Sequence, residues 1–427
     1  MKKSLTLTLF VALVTTFTNA QFQITTGAGY QSQTFYTLAN DGVKTIKNTD
    51  WDLAFTVYEK QDGGIFINEA AGSSMGQALP SIALYKTAAK NFQEVILESN
   101  INLKDDRLYN DEKGKSWAYG AFNETRDKVK ASPFDYGWGV YNTGNKVVEG
   151  KLVYAIKTRD GKFRKIEIQN LTGVVYQVRH ANLDGSDEKT FTVDKSKFAG
   201  KTLAYYSFAT NTTSDIEPAN FDLWFTRYVS LVTQGTTTAQ YNVTGILSGR
   251  GVKVARAAGI DPEKVKYDDF KGNVSSQLDT IGSDWKTIDI TINQWKVPTD
   301  RAYFVINKAG DIYKIVFIDF EGSATGTATL EKTKIGNVNV NDISSDIRYK
   351  VFPTVVQDEV NIAFDLATNE TFDLSIIDMN GRIVLNKKIE TTSGFQVITL
   401  DASNLLSGTY ITRLASKNGI ATSKIVK

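Results

Sequence analysis

Polar and apolar residues alternate in the run NTDWDLAFTVY, from Asn48 to Tyr58. Alternation is the period of a β-strand, whose successive side chains point to opposite faces. It predicts a strand with Trp51, Leu53 and Phe55 on an apolar face and Asp52, Ala54 and Thr56 on the other. The run PANFDLWFTRY, from Pro218 to Tyr228, repeats the apolar row as Phe221, Leu223 and Phe225. The expected role of this row is a core strand, with Asp52 and Asp222 pointing away from it to cap a turn or stand in solvent. Val174 to Ala181 also alternates, Phe304 to Ile306 and Ile312 to Phe320 are near-continuous apolar strands, and Gly322 to Thr329 reads as a small-residue turn leading into another strand. Asp261-Pro262-Glu263 has the order of an N-cap followed by proline at the first helical position, which predicts a short helix there.

The repetition extends beyond the phrase. At an offset of 170 residues, Tyr36 to Tyr58 lies on Tyr206 to Tyr228 with eight identities in 23 positions: Tyr36, Ala39, Ile46, Asp52, Leu53, Phe55, Thr56 and Tyr58. At an offset of 149, YAIKTRDGKFRKIEI from Tyr154 lies on YFVINKAGDIYKIVF from Tyr303. Each of these reads as a β-hairpin, with Asp160-Gly161 at one turn and Gly310 at the other. A domain-sized tandem duplication is the reading, with an indel in a loop between the two blocks.

From about Tyr349 the pattern changes to short strands at regular spacing: Val360 to Leu366, Phe372 to Ile377, Arg382 to Ile389, Gln396 to Leu400, Thr409 to Ala415 and Ala421 to Lys427. Met379-Asn380-Gly381 and Ser407-Gly408 mark turns between them. The expected fold is all-β: two tandem β-rich modules, at 21–190 and 191–340, then a small C-terminal Ig-like β-sandwich at 349–427. Asn341 to Asp346 forms a polar boundary before that last domain.

The segments VFPTVVQDEVNIAF, DLSIIDMNGRIV, LLSGTYITRL and SKIVK together resemble the C-terminal sorting domain of type IX secretion cargo, from Val351 to Lys427. Thr354-Val355 stands where many members carry Asn-Pro, with Pro353 in place. The resemblance implies Sec export, transit of the outer membrane and removal of the domain at the surface, with release or attachment of the remainder. It makes the type IX machinery a partner through residues 349–427. In each repeat a WDLAF-like strand, a Gly-rich stretch such as NEAAGSSMGQA, a Trp-containing segment and a late hairpin follow in an order similar to that of the HmuY family of exported haem-binding proteins, over about residues 21 to 335. That resemblance implies an all-β ligand-binding module with haem as the cofactor to test.

Composition narrows the chemistry. The 427 residues suffice for several cores at about 150 residues per domain. Lys2 and Lys3 precede an apolar or Thr run from Leu5 to Phe17 and the small residues before Gln21, the layout of a secretory signal at 1–20 and shorter than a membrane span. The chain has no cysteine, so disulfides and thiolate sites are excluded. Forty-nine Lys and Arg against 47 Asp and Glu, interspersed, give no footprint for a nucleic-acid partner. The single histidine, His180, excludes two-histidine metal sites, and no HExxH, GxSxG or P-loop occurs. Asp105-Asp106, Asp268-Asp269 and LDGSDE from Leu183 read as solvated turns.

Haem ligation through His and Met is established iron chemistry, which makes His180 and Met75 the candidate ligand-binding residues. The second copy holds neither residue between Phe191 and Gly336, so there haem would need Tyr or no ligand. The bland alternatives are a half-buried or rim histidine and a loop methionine. No catalytic residue is assigned, and the chain is read as a non-enzyme, secreted or on the outer-membrane surface. Two functions remain: a ligand-binding module for a haem-like, other hydrophobic or carbohydrate ligand, or a structural or adhesion protein of the envelope. An open pocket lined by Trp117, Trp138, Trp224, Trp285 or Trp295 would favour the first, and buried rings the second.

Overall fold

The computed structural model describes residues 20–58, 62–70, 73–74, 77–78, 80–111, 117–127, 132–234, 236–289, 291–337, 348–366, 369–392, 394–416 and 419–427. The signal segment 1–19, Met75 and the polar boundary Asn341 to Asp346 lie outside the described residues. The fold is all-β, with 52% of residues in strands and, among the described residues, no helix of seven residues or more. At Asp261 a single turn forms, closed by Val265 N–H donating to Asp261 O. It does not propagate into the expected helix, because Val265, Tyr267 and Phe270 turn aside to pack on Ala255, Ala257 and Phe304.

The repeated phrase explains how the body is assembled. Strand Leu53–Thr56 pairs antiparallel with Leu203–Ser207, Leu53 opposite Tyr206 and Phe55 opposite Ala204. Strand Leu223–Gln234 pairs with Ser32–Thr37, Leu223 opposite Tyr36 and Phe225 opposite Thr34. One register becomes the other under the 170-residue offset, so each half of the chain lends its first repeated strand to the other half. The N-terminal strand Gln21–Thr25 likewise adds to Thr327–Asn337, at the edge of the sheet built from 253–258, 301–306 and 311–320. Its counterpart Lys189–Asp194 adds to Val175–Asn182. A division of the chain at 190/191 would cut that last strand.

Two cores result, and neither coincides with a contiguous half. The first gathers Leu53, Phe55, Ile67, Leu84, Tyr154, Ile166, Tyr176 and Val178 with Ala204 and Tyr206. The second gathers Leu223, Phe225, Ile246, Val254, Tyr303, Ile315 and Leu330 with Ile24, Tyr36 and Leu38 from the N-terminus. Between them lies a third cluster of Trp51, Trp117, Trp224, Phe35, Phe66, Phe221, Tyr205 and Tyr228. Its rings interlock, with Trp117 stacked on Phe66 at 4.7 Å, Trp224 edge-on to Trp117 at 4.9 Å and Trp51 edge-on to Tyr205 at 5.2 Å. The exchanged strands are therefore buried on both faces. Trp51 and Phe221 precede their strands and turn into this shared layer, away from the row of Leu53 and Leu223 where alternation placed them.

Asp52 and Asp222 are buried as well, at 4% and 6% exposure, instead of standing in solvent. Each donates its N–H across the exchange, to Tyr206 O (2.8 Å) and Tyr36 O (2.9 Å). Each carboxylate accepts a backbone N–H from two residues beyond that tyrosine: Phe208 to Asp52 at 2.8 Å and Leu38 to Asp222 at 2.7 Å. Asp52 also pairs with Arg159 at 3.1 Å. Glu69 ties the halves together from another side, its carboxylate accepting from Asn110 N–H (3.0 Å) and Val229 N–H (3.2 Å). Burial pushes the Glu69 carboxyl up to about 7 against those hydrogen bonds.

The hairpins expected from Tyr154 and from Tyr303 form with the same turn. Thr158 N–H donates to Lys162 O at 2.9 Å and Asn307 N–H to Asp311 O at 3.0 Å, while Gly161 (φ 81°) and Gly310 (φ 84°) take the left-handed conformation a side chain resists. The C-terminal region contains all six expected strands within one residue or a few of their predicted ends. A seventh, Arg348–Phe352, joins Glu359–Leu366 and Gly394–Asp401 in one sheet that faces a four-stranded sheet across Val360, Ile362, Phe372, Leu374, Leu414 and Ile425.

Three substitutions rank these contacts by urea unfolding of the full chain. Trp51→Ala should cost about 3–5 kcal/mol as a core aromatic deletion. Asp222→Ala, which leaves one buried N–H unpaired, should cost about 1–3 kcal/mol. Asp52→Ala should cost more than Asp222→Ala, by about 1 kcal/mol, because it also takes the carboxylate from the half-buried Arg159 guanidinium; equal costs would remove the ion pair from the account. For Glu69 the folded-state pKa lies above the unfolded one, so the native state favours the proton. Relative to Glu69→Gln, wild-type stability should fall by about 3 kcal/mol as pH rises from about 4.5 to 7 and stay level above. Urea midpoints of the two proteins at pH 5 and pH 8 read this difference.

Candidate functional site

His180 lies on strand Val175–Asn182, facing inward with Tyr176 and Val178. It is not at the rim, being only 1% exposed. Its Nε2 is 3.0 Å from the Tyr206 hydroxyl, which in turn donates to Asn211 Oδ1 at 3.2 Å. Phe208 meets the imidazole edge-on at 5.1 Å, and Phe191 stacks on Tyr206 at 3.7 Å. Burial, helped by Arg164 and Lys189, pushes the imidazole down to about 4, so it is neutral at ordinary pH. With Nε2 engaged by tyrosine and Nδ1 enclosed in the core, His180 is a packing residue of the first core. Met75 is outside the described residues, so the two are not brought together.

The other sequence candidates are also accounted for. Among the described residues no group of three or more His, Asp or Glu could hold a metal. Asp105 and Asp106 cap the turn at Asn102, Asp268 pairs with Lys271 at 3.4 Å, and Asp184 accepts from Ser186 N–H within LDGSDE. Trp117, Trp138, Trp224 and Trp285 are all buried, and Trp295 is half-buried against Phe320. These rings fill cores, and a cleft of the surface near Asp222 is lined by other residues.

That cleft has a volume of about 710 Å³ and lies between three turns: Thr37 to Lys44, Pro218 to Asp222, and Asn307 to Ala309. The exchange positions all three, since the first turn joins the strand lent by the N-terminus and the second leads into its partner. Asp222 lines the cleft with one carboxylate oxygen holding Leu38 N–H. Burial pushes this carboxyl above the usual range, opposed by the Leu38 N–H and the charges of Lys308 and Lys332.

The same construction in the first half is closed. There the hairpin turn supplies Arg159, whose Nε donates to Asp52 Oδ1 at 3.1 Å, Nη1 to Pro80 O at 2.8 Å and Nη2 to Asn48 O at 2.7 Å. The 149-residue offset puts Lys308 at the position of Arg159. Lys308 is exposed and lines the open cleft instead of filling it. Sequence reasoning passed over this site, although its signal was present: two aligned aspartates and two aligned turns, one with arginine and the other with lysine.

Comparison with known proteins adds two family matches. The model of the HmuY protein family matches residues 29–181, and that of the secretion system C-terminal sorting domain matches residues 350–427. A search of the curated proteins gave no match. Among solved structures, dimeric latent PorU from Porphyromonas gingivalis aligns over 64% of this chain at 11% identity with a TM-score of 0.18, and the alignment spans 31% of that protein. The chain thus carries an HmuY domain in its first half and a type IX sorting domain at its C-terminal end, which marks it as cargo for export to the cell surface or beyond.

Proposed function

We propose that the chain is an exported, non-catalytic binding protein with a duplicated HmuY-like body, and that it takes a polar ligand at the cleft over Asp222. The observation that carries this reading is the contrast between two equivalent places, one filled by the chain's own Arg159 and the other open to solvent. Duplication is supported by the matched registers of Tyr36 with Leu223 and Tyr206 with Leu53, which share one offset. A hydrophobic ligand has little support, since the tryptophans that would line its pocket are packed into cores. Haem held by His180 and Met75 fares no better: an axial ligand needs a free imidazole lone pair facing the iron, and this ring is enclosed and bonded to Tyr206.

The non-enzyme reading draws on the same residue, because a general base has to reach a substrate. Delivery by the type IX machinery is supported by the sorting domain, and Sec export before it by the signal-like pattern of residues 1–20. A structural or adhesive role is the second reading, favoured by the aromatic layer shared between the two halves. Haemin titrated into the full chain, followed at the Soret band, tests the choice of ligand. The expected result is no histidine-ligated spectrum and no difference between wild type and His180→Ala. A tight site abolished by His180→Ala would overturn it.

A further inference from the structure

We infer that the cleft over Asp222 is a guanidinium-binding site, and that its ligand is an arginine bearing a free carboxylate, as at the end of a peptide chain. The inference rests on the binding-protein reading above and names the chemistry of its ligand.

The molecule already contains the complex in miniature. At Asp52, a carboxylate fixed by a backbone N–H takes a guanidinium, and the carbonyls of Asn48 and Pro80 accept its remaining N–H groups. At Asp222 the carboxylate is fixed in the same way, by Leu38 N–H, and faces the cleft. Pro218, in the place of Asn48 under the 170-residue offset, lines the cleft too. What is missing is the guanidinium. Lys308 replaces Arg159, and a lysine offers a compact point charge where arginine offers a planar fork able to bridge a carboxylate and carbonyls together. Among the described residues Lys308 makes no ion pair, and the Asp222 carboxylate takes its hydrogen bond from Leu38 N–H. A buried charged residue, 6% exposed, that lines an open cleft is a polar group with room for a partner.

Size and charge point the same way. At about 710 Å³ the cleft falls within the usual range for small-ligand sites, ample for a whole arginine and its neighbour. Lys44 and Lys308, both exposed and both lining it, supply cations for a ligand carboxylate while Asp222 takes the cation. An arginine with a free carboxylate matches both signs. A simple amine or a simple anion matches one.

Isothermal titration of the full chain with L-arginine tests this, against L-citrulline, which has the same shape with a neutral urea group. Arginine should bind with Kd below about 1 mM and citrulline at least about tenfold more weakly. Asp222→Asn should abolish arginine binding. Because that change touches a buried cap, Lys308→Arg serves as the second variant: it should raise Tm and block added arginine by closing the cleft as Arg159 closes its own. Failure of arginine to bind, equal binding of citrulline, or undiminished arginine binding by Lys308→Arg would each overturn the assignment. Haem bound through His180 would instead overturn the binding reading beneath it, so the two failures are separable.

Discussion

The pairing of each half's first repeated strand with the other half's aspartate-led strand is the constraint from which the body follows. Tyr36 opposite Leu223 and Tyr206 opposite Leu53 place two sheets back to back. The outer face of each sheet then covers its own core, while the inner faces meet in the layer of Trp51, Trp117 and Trp224. Strand pairing fixes a register because a slip of one residue would exchange the two faces. Here both faces are apolar, so alternation alone would not hold the register. The aspartates do so, since each can accept its N–H from Leu38 or Phe208 at only one alignment.

Buried polar groups have a second consequence in this body. Glu69, Asp52 and Asp222 are each removed from water, a cost that hydrogen bonds and one ion pair must offset. Their partners come largely from the other half: Val229 for Glu69, Phe208 for Asp52, Leu38 for Asp222. Separation of the halves would expose the aromatic layer and unpair these groups together, so the exchange ties specificity to cooperativity. It also creates the cleft, which exists because the N-terminal hairpin and the segment before Asp222 are brought against a turn near residue 308.

Much of this was legible in the sequence, and the limits of that reading have physical reasons. Period-two alternation located strands such as Val175–Asn182 and those of the C-terminal sandwich, since that period is local. The partner of a strand is not local, so the pattern could not say that Leu53 faces Tyr206 instead of a strand nearby. Trp51 left its expected row because the strand begins two residues later, at Leu53. His180 proved deeper than a rim position because Phe191, Tyr206 and Phe208, from elements after it, close over the ring. The difference between Arg159 and Lys308 was visible but mute until the aspartates opposite them were known to be buried.

Native-state hydrogen exchange on the full chain, read by mass spectrometry across a urea series, tests the central claim that the two halves form one exchanged body. The amides of Leu53–Thr56 and those of Leu223–Phe225 should become exchangeable in one transition, at a common free energy, together with those of Ser32–Thr37 and Leu203–Ser207. Two transitions, with residues 32 to 56 opening together while residues 203 to 225 stay protected, would mean that each half holds its own strands and would contradict the account.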